Sequence, residues 1–270
     1  MNVFQSFPLE LQKIINSLEI VEVIKGRIGD KIIKLSDRNK KLYLKISNTE
    51  MTQDEMENEC RILNWLSFSR LNIPKVLFFQ KNTNKSYMLL SNVSGVSSHE
   101  ITKKFSKEKI VEISAKALQK VHKIDAQSIP PEYTNCLAKE LESIMKNVEN
   151  DMIDIEAFKE ANHDKTPQTV LEYLLEKKGL FKSDVFTHGD YCLPNILIDN
   201  ESNYGFVDWS QAGTGDIYRD ISPMVKSINR NFGKAYSNLF LKHYGIDEDK
   251  VNKEKIIYYG LIDQFTYYKK

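Results

Sequence analysis

The sequence predicts an α+β fold in which an antiparallel sheet comes first and a mostly helical part follows. Short apolar runs of strand length, separated by turn residues, extend to Leu90. After Ser91–Gly95, which interrupts this pattern, long segments such as Lys107–His122 have helical periodicity. The third observation is a loop–strand–turn–strand segment at His188–Asp208. We therefore expect two lobes, formed by residues 1–94 and residues 95–270.

The N-terminal part is predicted to hold two helices and five strands. Ser6 and Pro8 indicate a helix start, and a second helix is expected over Gln53–Leu66, with Thr52 and Glu55 as a capping box. The predicted strands are Glu19–Ile24, Lys31–Leu35, Leu42–Ile46, Val76–Gln80 and Tyr87–Leu90.

Lys45 and Glu59 are candidate nucleotide-binding residues. Lys45 closes the third predicted strand, and Glu59 lies on the flank of the apolar stripe of the second helix. Separately, each is more simply interpreted as a surface residue. Together with acidic residues downstream, they are typical of the ion pair that positions ATP in kinases. The turn Lys25–Asp30 could cover phosphates, although alone it is more simply a hairpin turn.

Composition excludes several classes of protein. The 270 residues are 41% apolar and 28% charged, as in ordinary globular proteins. The 38 basic and 37 acidic residues are balanced, so we expect no nucleic-acid partner. No apolar run is long enough to span a membrane, and the first residues do not resemble a secretory signal. We expect a cytoplasmic protein whose three cysteines (Cys60, Cys136 and Cys192) are free thiols.

Two stretches carry opposite charge. Residues 31–45 contain six basic residues and one acidic residue, whereas residues 138–164 contain eight acidic and three basic residues. A charge run is usually a solvated face. The pair of runs is also consistent with a basic side for nucleotide phosphates and an acidic side for a cationic acceptor.

The segment His188–Asp208 places three polar residues in order. Asp190 is in the loop, Asn195 begins the strand Asn195–Ile198, and Asp208 ends the strand Gly205–Asp208. Pro194 is expected to keep Leu193 extended and to exclude a helix. An acid beside an Asn and Asp oxygen pair suits Mg²⁺-assisted phosphoryl transfer, and the order matches the kinase catalytic and metal loops.

The other polar candidates have simpler interpretations. His122, near a helix end, is more often a structural hydrogen-bonding group than a catalytic base. Asp216 and Asp220 precede a helix expected from about Pro223, where they either cap that helix or orient the catalytic loop. The last helix is predicted over Lys253–Phe265, followed by a short tail.

Several of these motifs resemble the aminoglycoside 3′-phosphotransferase (kanamycin kinase) family, which has a two-lobed, protein-kinase-like fold. The most specific matches are HGDYCLPNILID, YGFVDW and GDIYRDIS, and LYLK, PKVL and VHKID also match. The resemblance implies ATP and Mg²⁺ as cofactors and an aminoglycoside as the small-molecule substrate.

The resemblance also implies residue roles. Asp190 would be the catalytic base, with Asn195 and Asp208 as the Mg²⁺ ligands. Lys45, held by Glu59, would contact the α- and β-phosphates. Tyr43 would stack on adenine, and the backbone of Ser91 and Val93 would bind the adenine edge. The acceptor's ammonium groups would be bound by Glu156, Glu160, Asp263 and Gln264.

The chain departs from the family pattern at three places. Gln211 replaces an Arg, Gln264 replaces an acidic residue, and several residues follow the C-terminal pair. These departures concern substrate range. Two alternatives stay open: a kinase of this fold for another small alcohol, of the ethanolamine or sugar type, and a nucleotide-binding pseudokinase. A protein kinase is disfavoured because no A-P-E signature follows Asp208. The phosphorylated hydroxyl, nucleoside preference and oligomeric state are left open.

Overall fold

The computed structural model describes residues 3–26, 30–134, 136–162 and 164–266. Its chain divides into two compact units. The N-terminal unit consists of Met1–Ser94 and the short segment Gly205–Ser210, and the C-terminal unit consists of Gly95–Tyr204 and Gln211–Lys270. The predicted α+β class is confirmed.

The elements follow the predicted order of strands first and helices later. Those of the first 94 residues are α1 (Leu9–Ile15), β1 (Glu19–Lys25), β2 (Lys31–Ser36), β3 (Lys41–Ser47), α2 (Glu50–Leu66), β4 (Val76–Lys81) and β5 (Ser86–Ser91). The later strands are β6 (Val96–Ser97), β7 (Val185–Thr187), β8 (Ile196–Ile198), β9 (Tyr204–Phe206) and β10 (Gly213–Gly215). The later helices are α3 (Lys107–Val121), α4 (Cys136–Glu149), α5 (Ile155–Ala161), α6 (Pro167–Lys177), α7 (Tyr218–Asn231), α8 (Lys234–Tyr244) and α9 (Lys253–Ile262).

The N-terminal unit is built on an antiparallel five-stranded sheet. Its strand order is β1-β2-β3-β5-β4. Leu11, Ile15 and Leu18 bury their side chains in one apolar cluster with residues of β2, β3 and β5. Burying a leucine or isoleucine fully contributes about 1.5–3 kcal/mol, so this packing holds the first helix to the sheet. Helix α2 contacts β3, β4 and β5.

Helix α2 starts three residues earlier than the sequence predicts. Its N-cap is Thr49, whose side chain accepts from the Thr52 N–H, while the Thr52 hydroxyl completes the capping box. The prediction of Thr52 and Glu55 as the capping box is therefore wrong. The physical reason is that Thr49 has the extended backbone an N-cap requires, and Thr52 occupies the third helical position.

The C-terminal unit is held together mainly by helix packing. Contacts join α3 with α8, α7 with α8 and α9, and α4 with α6. Two short antiparallel strand pairs, β6 with β8 and β7 with β10, lie in this unit. Helix α8 ends at Gly245, whose φ of 102° is the left-handed conformation typical of a glycine C-cap. No helix within the described ranges is long and apolar enough to cross a membrane.

Three predicted boundaries around the polar segment are wrong. Leu193–Asn195 form a 3₁₀ turn with Pro194 inside it, so strand β8 starts after Asn195. Proline is tolerated there because its position near the start of the turn needs no N–H donor. Strand β9 ends at Phe206, two residues before Asp208. Helix α7 starts at Tyr218, well before Pro223, which it contains.

Candidate active site

Lys45, Glu59 and Asp208 form an ionic cluster in the N-terminal unit. The Lys45 Nζ lies 2.9 and 2.8 Å from the two carboxylate oxygens of Glu59, and it also donates to Asp208. The Glu59 side chain is only 4% exposed, whereas that of Asp208 is 43% exposed. The structure thus brings together a residue of β3, a residue of α2 and a residue of Gly205–Ser210, the short segment that belongs to the N-terminal unit.

The cluster contains one cation and two carboxylates. Burial acts to lower the pKa of the Lys45 amine, but the charges of Asp208 and Glu59 outweigh it and hold the pKa above its usual value. Lys45 is therefore protonated at neutral pH. Burial raises the pKa of Glu59, partly opposed by Lys45 and assisted by Asp208. The cluster therefore holds two carboxyl groups for one amine.

Close packing places Asp208 in this unit. A Cβ on Gly205 would lie 2.4 Å from the Val93 Cγ1 and 2.5 Å from the Asn72 carbonyl oxygen, so β9 passes where only glycine fits. The Phe206 N–H donates to that same carbonyl at 3.0 Å. Two residues on, Asp208 has a φ of 62°, a left-handed conformation that aspartate tolerates better than most residues.

The three residues expected to bind adenine lie on or next to the sheet. Tyr43 is half-buried on β3, two residues before Lys45, so both side chains project from the same face. Ser91 ends β5, and its N–H donates to the Lys75 carbonyl at 2.9 Å. Val93 is buried. Of the turn expected to cover phosphates, residues 27–29 lie outside the described residues.

Asp190 and Asn195 form the second polar group, in the C-terminal unit. The Asn195 Nδ2 donates to the backbone oxygen and to the carboxylate Oδ2 of Asp190, both at 2.9 Å. Asp190 is exposed, whereas Asn195 is buried. Because the amide nitrogen is used on Asp190, the amide oxygen is the atom with which Asn195 could bind a metal ion.

Asp220 supports the loop that carries Asp190. Its two carboxylate oxygens accept from the N–H groups of His188 at 2.8 Å and Gly189 at 2.7 Å. The Nε2 of His122 lies 2.9 Å from the same carboxylate. Burial acts to raise the pKa of Asp220, but the contacts with His122 and His188 outweigh it and lower the pKa. Asp220 thus orients the loop rather than capping a helix at Pro223.

His122 is a structural hydrogen-bonding group, as its position near a helix end predicted. It follows the last residue of α3, and its Nδ1 lies 2.7 Å from the Tyr244 hydroxyl on α8. Since both ring nitrogens are engaged, His122 connects α3, α7 and α8 beneath the Asp190 loop.

Two of the four expected acceptor-binding residues lie on the surface helix α5. Glu156 is 87% exposed and its carboxylate lies 3.4 Å from the Lys159 Nζ. Glu160 is exposed as well. Other acids of this negatively charged stretch have structural contacts, since Asp154 caps α5 and Glu142 pairs with Lys146. Much of the stretch is therefore a solvated face.

Asp263 and Gln264 follow directly after α9. Burial raises the pKa of Asp263, Lys226 opposes this at 3.3 Å, and the charges of Asp190 and Glu140 add to the increase. Because Asp190 and Glu140 act on Asp263, these three acids share one electrostatic environment within the C-terminal unit. The Gln264 side chain donates to the Gly260 carbonyl at 3.4 Å.

A cavity of about 760 Å³ adjoins Gln264. Its lining carries three cationic side chains, Lys165, Lys226 and Arg230, over an apolar floor that includes Val225 and Leu261. The surroundings of the C-terminal pair are therefore of mixed charge, which the charge pattern of the sequence did not indicate.

Sequence reasoning missed a buried ion pair near Asp263. The guanidinium of Arg219 on α7 donates to Glu140 on α4, and the two side chains are 3% and 22% exposed. The motif GDIYRDIS contains Arg219. Nothing in the motif indicates that its partner is Glu140, which lies 79 residues earlier in the chain. Among the described residues, no group of three or more His, Cys, Asp or Glu side chains is arranged to hold a metal ion.

Comparison with known proteins gives the family. A model of the phosphotransferase enzyme family matches residues 20–253. An aminoglycoside 3′-phosphotransferase of Niallia circulans is 31% identical over 263 residues, which cover 97% of this chain and 98% of the relative. One of Enterococcus faecalis is 33% identical over 261 residues, covering 94% and 96%.

Solved structures with the same fold are more distant in sequence. An aminoglycoside-3′-phosphotransferase of type VIII superposes with a TM-score of 0.81 at 20% identity and covers 94% of this chain and 97% of its own. The aminoglycoside phosphotransferase APH(3″)-Id from Streptomyces rimosus, in complex with ADP and streptomycin, gives a TM-score of 0.75 at 19% identity, with coverages of 98% and 99%.

The chain is a phosphotransferase enzyme with a kinase-like fold. Within that class, the match to full-length relatives at 31% and 33% identity shows that it belongs to the aminoglycoside 3′-phosphotransferase family. The resemblance inferred from the sequence motifs is confirmed.

Proposed function

We propose that this enzyme transfers the γ-phosphoryl group of ATP to a hydroxyl group of an aminoglycoside antibiotic, which would confer resistance. The observation that carries the proposal is the Asp190 loop. Asn195 donates one hydrogen bond to the carboxylate of Asp190 and one to its backbone oxygen, and Asp220 accepts from the backbone N–H groups of His188 and Gly189. The relatives named above are aminoglycoside 3′-phosphotransferases, and one structural neighbour holds ADP and streptomycin.

Asp190 is proposed as the catalytic base. Its carboxylate is exposed, so an acceptor hydroxyl can approach it, while its orientation is fixed by Asn195. In direct in-line transfer, Asp190 orients that hydroxyl and takes its proton. General-base assistance of this kind contributes about 10²–10⁴-fold to a rate.

The N-terminal unit is proposed to bind the nucleotide. Lys45 is protonated and held by Glu59, so it can neutralise charge on the α- and β-phosphates. Tyr43 is proposed to stack on adenine. The backbone of Ser91 and Val93 is proposed to hydrogen-bond the adenine edge.

Asn195 and Asp208 are proposed as the Mg²⁺ ligands, and their chemistry fits that ion. Mg²⁺ prefers oxygen ligands and typically takes only one or two from the protein, with phosphates and water completing its shell. The Asn195 amide oxygen meets this requirement, and Asp208 belongs to a cluster with excess negative charge. Bound Mg²⁺ would neutralise the charge of the β- and γ-phosphates.

The acceptor's ammonium groups are proposed to bind carboxylates of the C-terminal unit. Asp263 is the strongest candidate, because it shares an electrostatic environment with Asp190. Glu156, Glu160 and Gln264 would contribute at the periphery, where exposed charges are screened by salt.

A turnover assay across acceptors tests the proposal. With ATP and Mg²⁺, we expect phosphorylation of kanamycin or neomycin and none of ethanolamine or a neutral sugar. Asp190→Asn should lower kcat by at least about 10²-fold with little change in nucleotide affinity. Turnover of a control alcohol alone would favour the small-alcohol kinase, and nucleotide binding without any turnover would favour the pseudokinase.

A further inference from the structure

Arg219 is a buried cation with three different acceptors. Its Nε donates to the Glu140 Oε1 at 2.8 Å, its Nη1 to the Thr187 Oγ1 at 2.8 Å, and its Nη2 to the Gln211 backbone oxygen at 2.7 Å. The planar guanidinium supplies several donors in a fixed geometry, which a lysine cannot do. One side chain therefore ties together α4, the end of β7 and the segment that enters β10.

Two of these acceptors adjoin the backbone of the Asp190 loop. Thr187 is three residues before Asp190, and its hydroxyl also donates to the Gly213 carbonyl at 2.8 Å. Gly189, the residue immediately before Asp190, has a φ of 87°. A Cβ at Gly189 would lie 2.3 Å from the Gln211 oxygen and 2.7 Å from the Arg219 Nη1. The Asp190 loop is thus packed directly against the Arg219–Gln211 hydrogen bond.

We propose that Arg219 and Glu140 are positioning residues that hold the Asp190 loop in its catalytic geometry. The proposal rests on the proposed function, in which Asp190 is the base. Glu140 holds the guanidinium of Arg219, and the guanidinium holds the Gln211 carbonyl and the Thr187 hydroxyl next to the loop.

A purely structural role would make a different prediction. Replacing a buried ion pair by apolar side chains of similar volume is often neutral or stabilising, whereas removing one partner is destabilising. The variant Arg219→Met should therefore lower both Tm and kcat. The double variant Glu140→Met/Arg219→Met should restore most of the Tm, because no unpaired charge is left buried.

The double variant separates positioning from stability. Without the guanidinium, the Gln211 carbonyl and Thr187 are no longer held, so we expect kcat with kanamycin to stay about 10–100-fold below the parent value. The KM for ATP should stay within about twofold, because nucleotide binding is assigned to other residues. Recovery of kcat together with Tm would overturn the proposal.

A milder variant covers the case in which the double variant does not fold. Glu140→Gln keeps the size and one acceptor oxygen for Arg219 but removes the charge, so Tm should fall less than in Arg219→Met while kcat still falls. The matched control is Glu142→Gln on the same helix, whose exposed side chain pairs with Lys146. Equal kcat values for Glu140→Gln and Glu142→Gln would contradict the proposal.

Failure of the proposed function would look different. If Asp190→Asn were as active as the parent, the assignment of the base would be wrong, whatever the Arg219 variants did. If Asp190→Asn were inactive while Glu140→Met/Arg219→Met had parental kcat, only the positioning role would fail.

Discussion

At the residue scale, the proposed binding of the acceptor by the carboxyl group of Asp263 predicts that acceptor binding depends on pH. Burial raises its pKa, and the charges of Asp190 and Glu140 raise it further. An ammonium group binds the charged carboxylate, so KM for kanamycin should rise as pH falls through this pKa, which lies above the usual aspartate value of about 3.9. In the variant Asp263→Asn, KM for kanamycin should be higher than in the parent at neutral pH, and it should not rise further as pH falls through this range.

Steady-state kinetics of the parent and of Asp263→Asn check this expectation. KM is measured from neutral pH down to the lowest pH at which the parent stays folded. Glu142→Gln serves as the control, since its surface carboxylate pairs with Lys146 away from Asp263. An unchanged rise in KM in Asp263→Asn would show that another group is titrating.

Asp220 has the opposite shift, and it predicts how stability depends on pH. Its pKa is lowered in the folded protein by contacts that outweigh burial. Its stabilisation is therefore complete above the unfolded-state pKa of about 3.9 and is lost as pH falls through the lower folded-state pKa. Asp220→Asn should lower the free energy of unfolding at pH 7 by about 1.5–3 kcal/mol.

The difference between the parent and Asp220→Asn should shrink only as pH falls through the lowered folded-state pKa of Asp220, because the aspartate side chain is then uncharged as well. Urea unfolding at neutral pH and at a pH well below about 3.9 measures it. A difference of constant size at both pH values would mean that the carboxylate charge contributes nothing to stability.

Sequence reasoning succeeded at residues whose partners are local or belong to a recurring pattern. Lys45 and Glu59 were paired in advance because a strand-end lysine and a glutamate on the next helix occur together in kinases. The contact between Arg219 and Glu140 was not predicted. The two residues are 79 positions apart in the chain, and neither side chain is distinctive in its own segment. For Asp220, the sequence leaves a capping role and a loop-orienting role open. It does so because it predicts that helix α7 starts after Asp220, whereas Asp220 lies inside that helix.

At the element scale, β9 is packed too closely to accept a side chain at Gly205. A Cβ on Gly205 would meet the Asn72 carbonyl oxygen at 2.5 Å and Val93 at 2.4 Å, and backbone atoms cannot give way as a flexible side chain can. We expect Gly205→Ala to lower the free energy of unfolding by about 1–3 kcal/mol, as in other overpacked sites. It should also weaken nucleotide binding, because Asp208 follows three residues later.

Gly179→Ala is the matched control for that substitution. A Cβ there would meet no atom within 4 Å, and its φ is not in the left-handed range. Thermal unfolding and nucleotide titration of both variants give the comparison. Equal behaviour of the two alanine variants would mean that β9 can shift without cost.

Element positions were predicted better than element boundaries. The five strands of the N-terminal sheet were predicted because each is a short apolar run between turn residues. The start of α7 was missed because proline is common at the beginning of a helix, whereas this helix contains Pro223 in its interior. Helices α4, α5 and α6 were not predicted individually, because the sequence indicated only a mostly helical chain in that region.

At the scale of the whole molecule, the two units differ in what holds them together. The N-terminal unit has one continuous sheet with α1 packed on it, whereas the C-terminal unit depends on helix pairs such as α3 with α8. The apolar runs of the sequence revealed the strands of the first kind of packing, although not their order in the sheet. The sequence could not reveal the second, because an amphipathic helix shows that it has a partner without showing which helix that partner is.

The N-terminal unit is also discontinuous, since residues 205–210 return to it after the chain has left at Ser94. On a ribosome, the sheet and α2 are synthesised long before this returning segment. The nascent chain therefore carries Lys45 and Glu59 at a stage when Asp208 does not yet exist. Completion of the ionic cluster must wait until residues 95–204 have been translated, so the first unit to emerge is among the last to be finished.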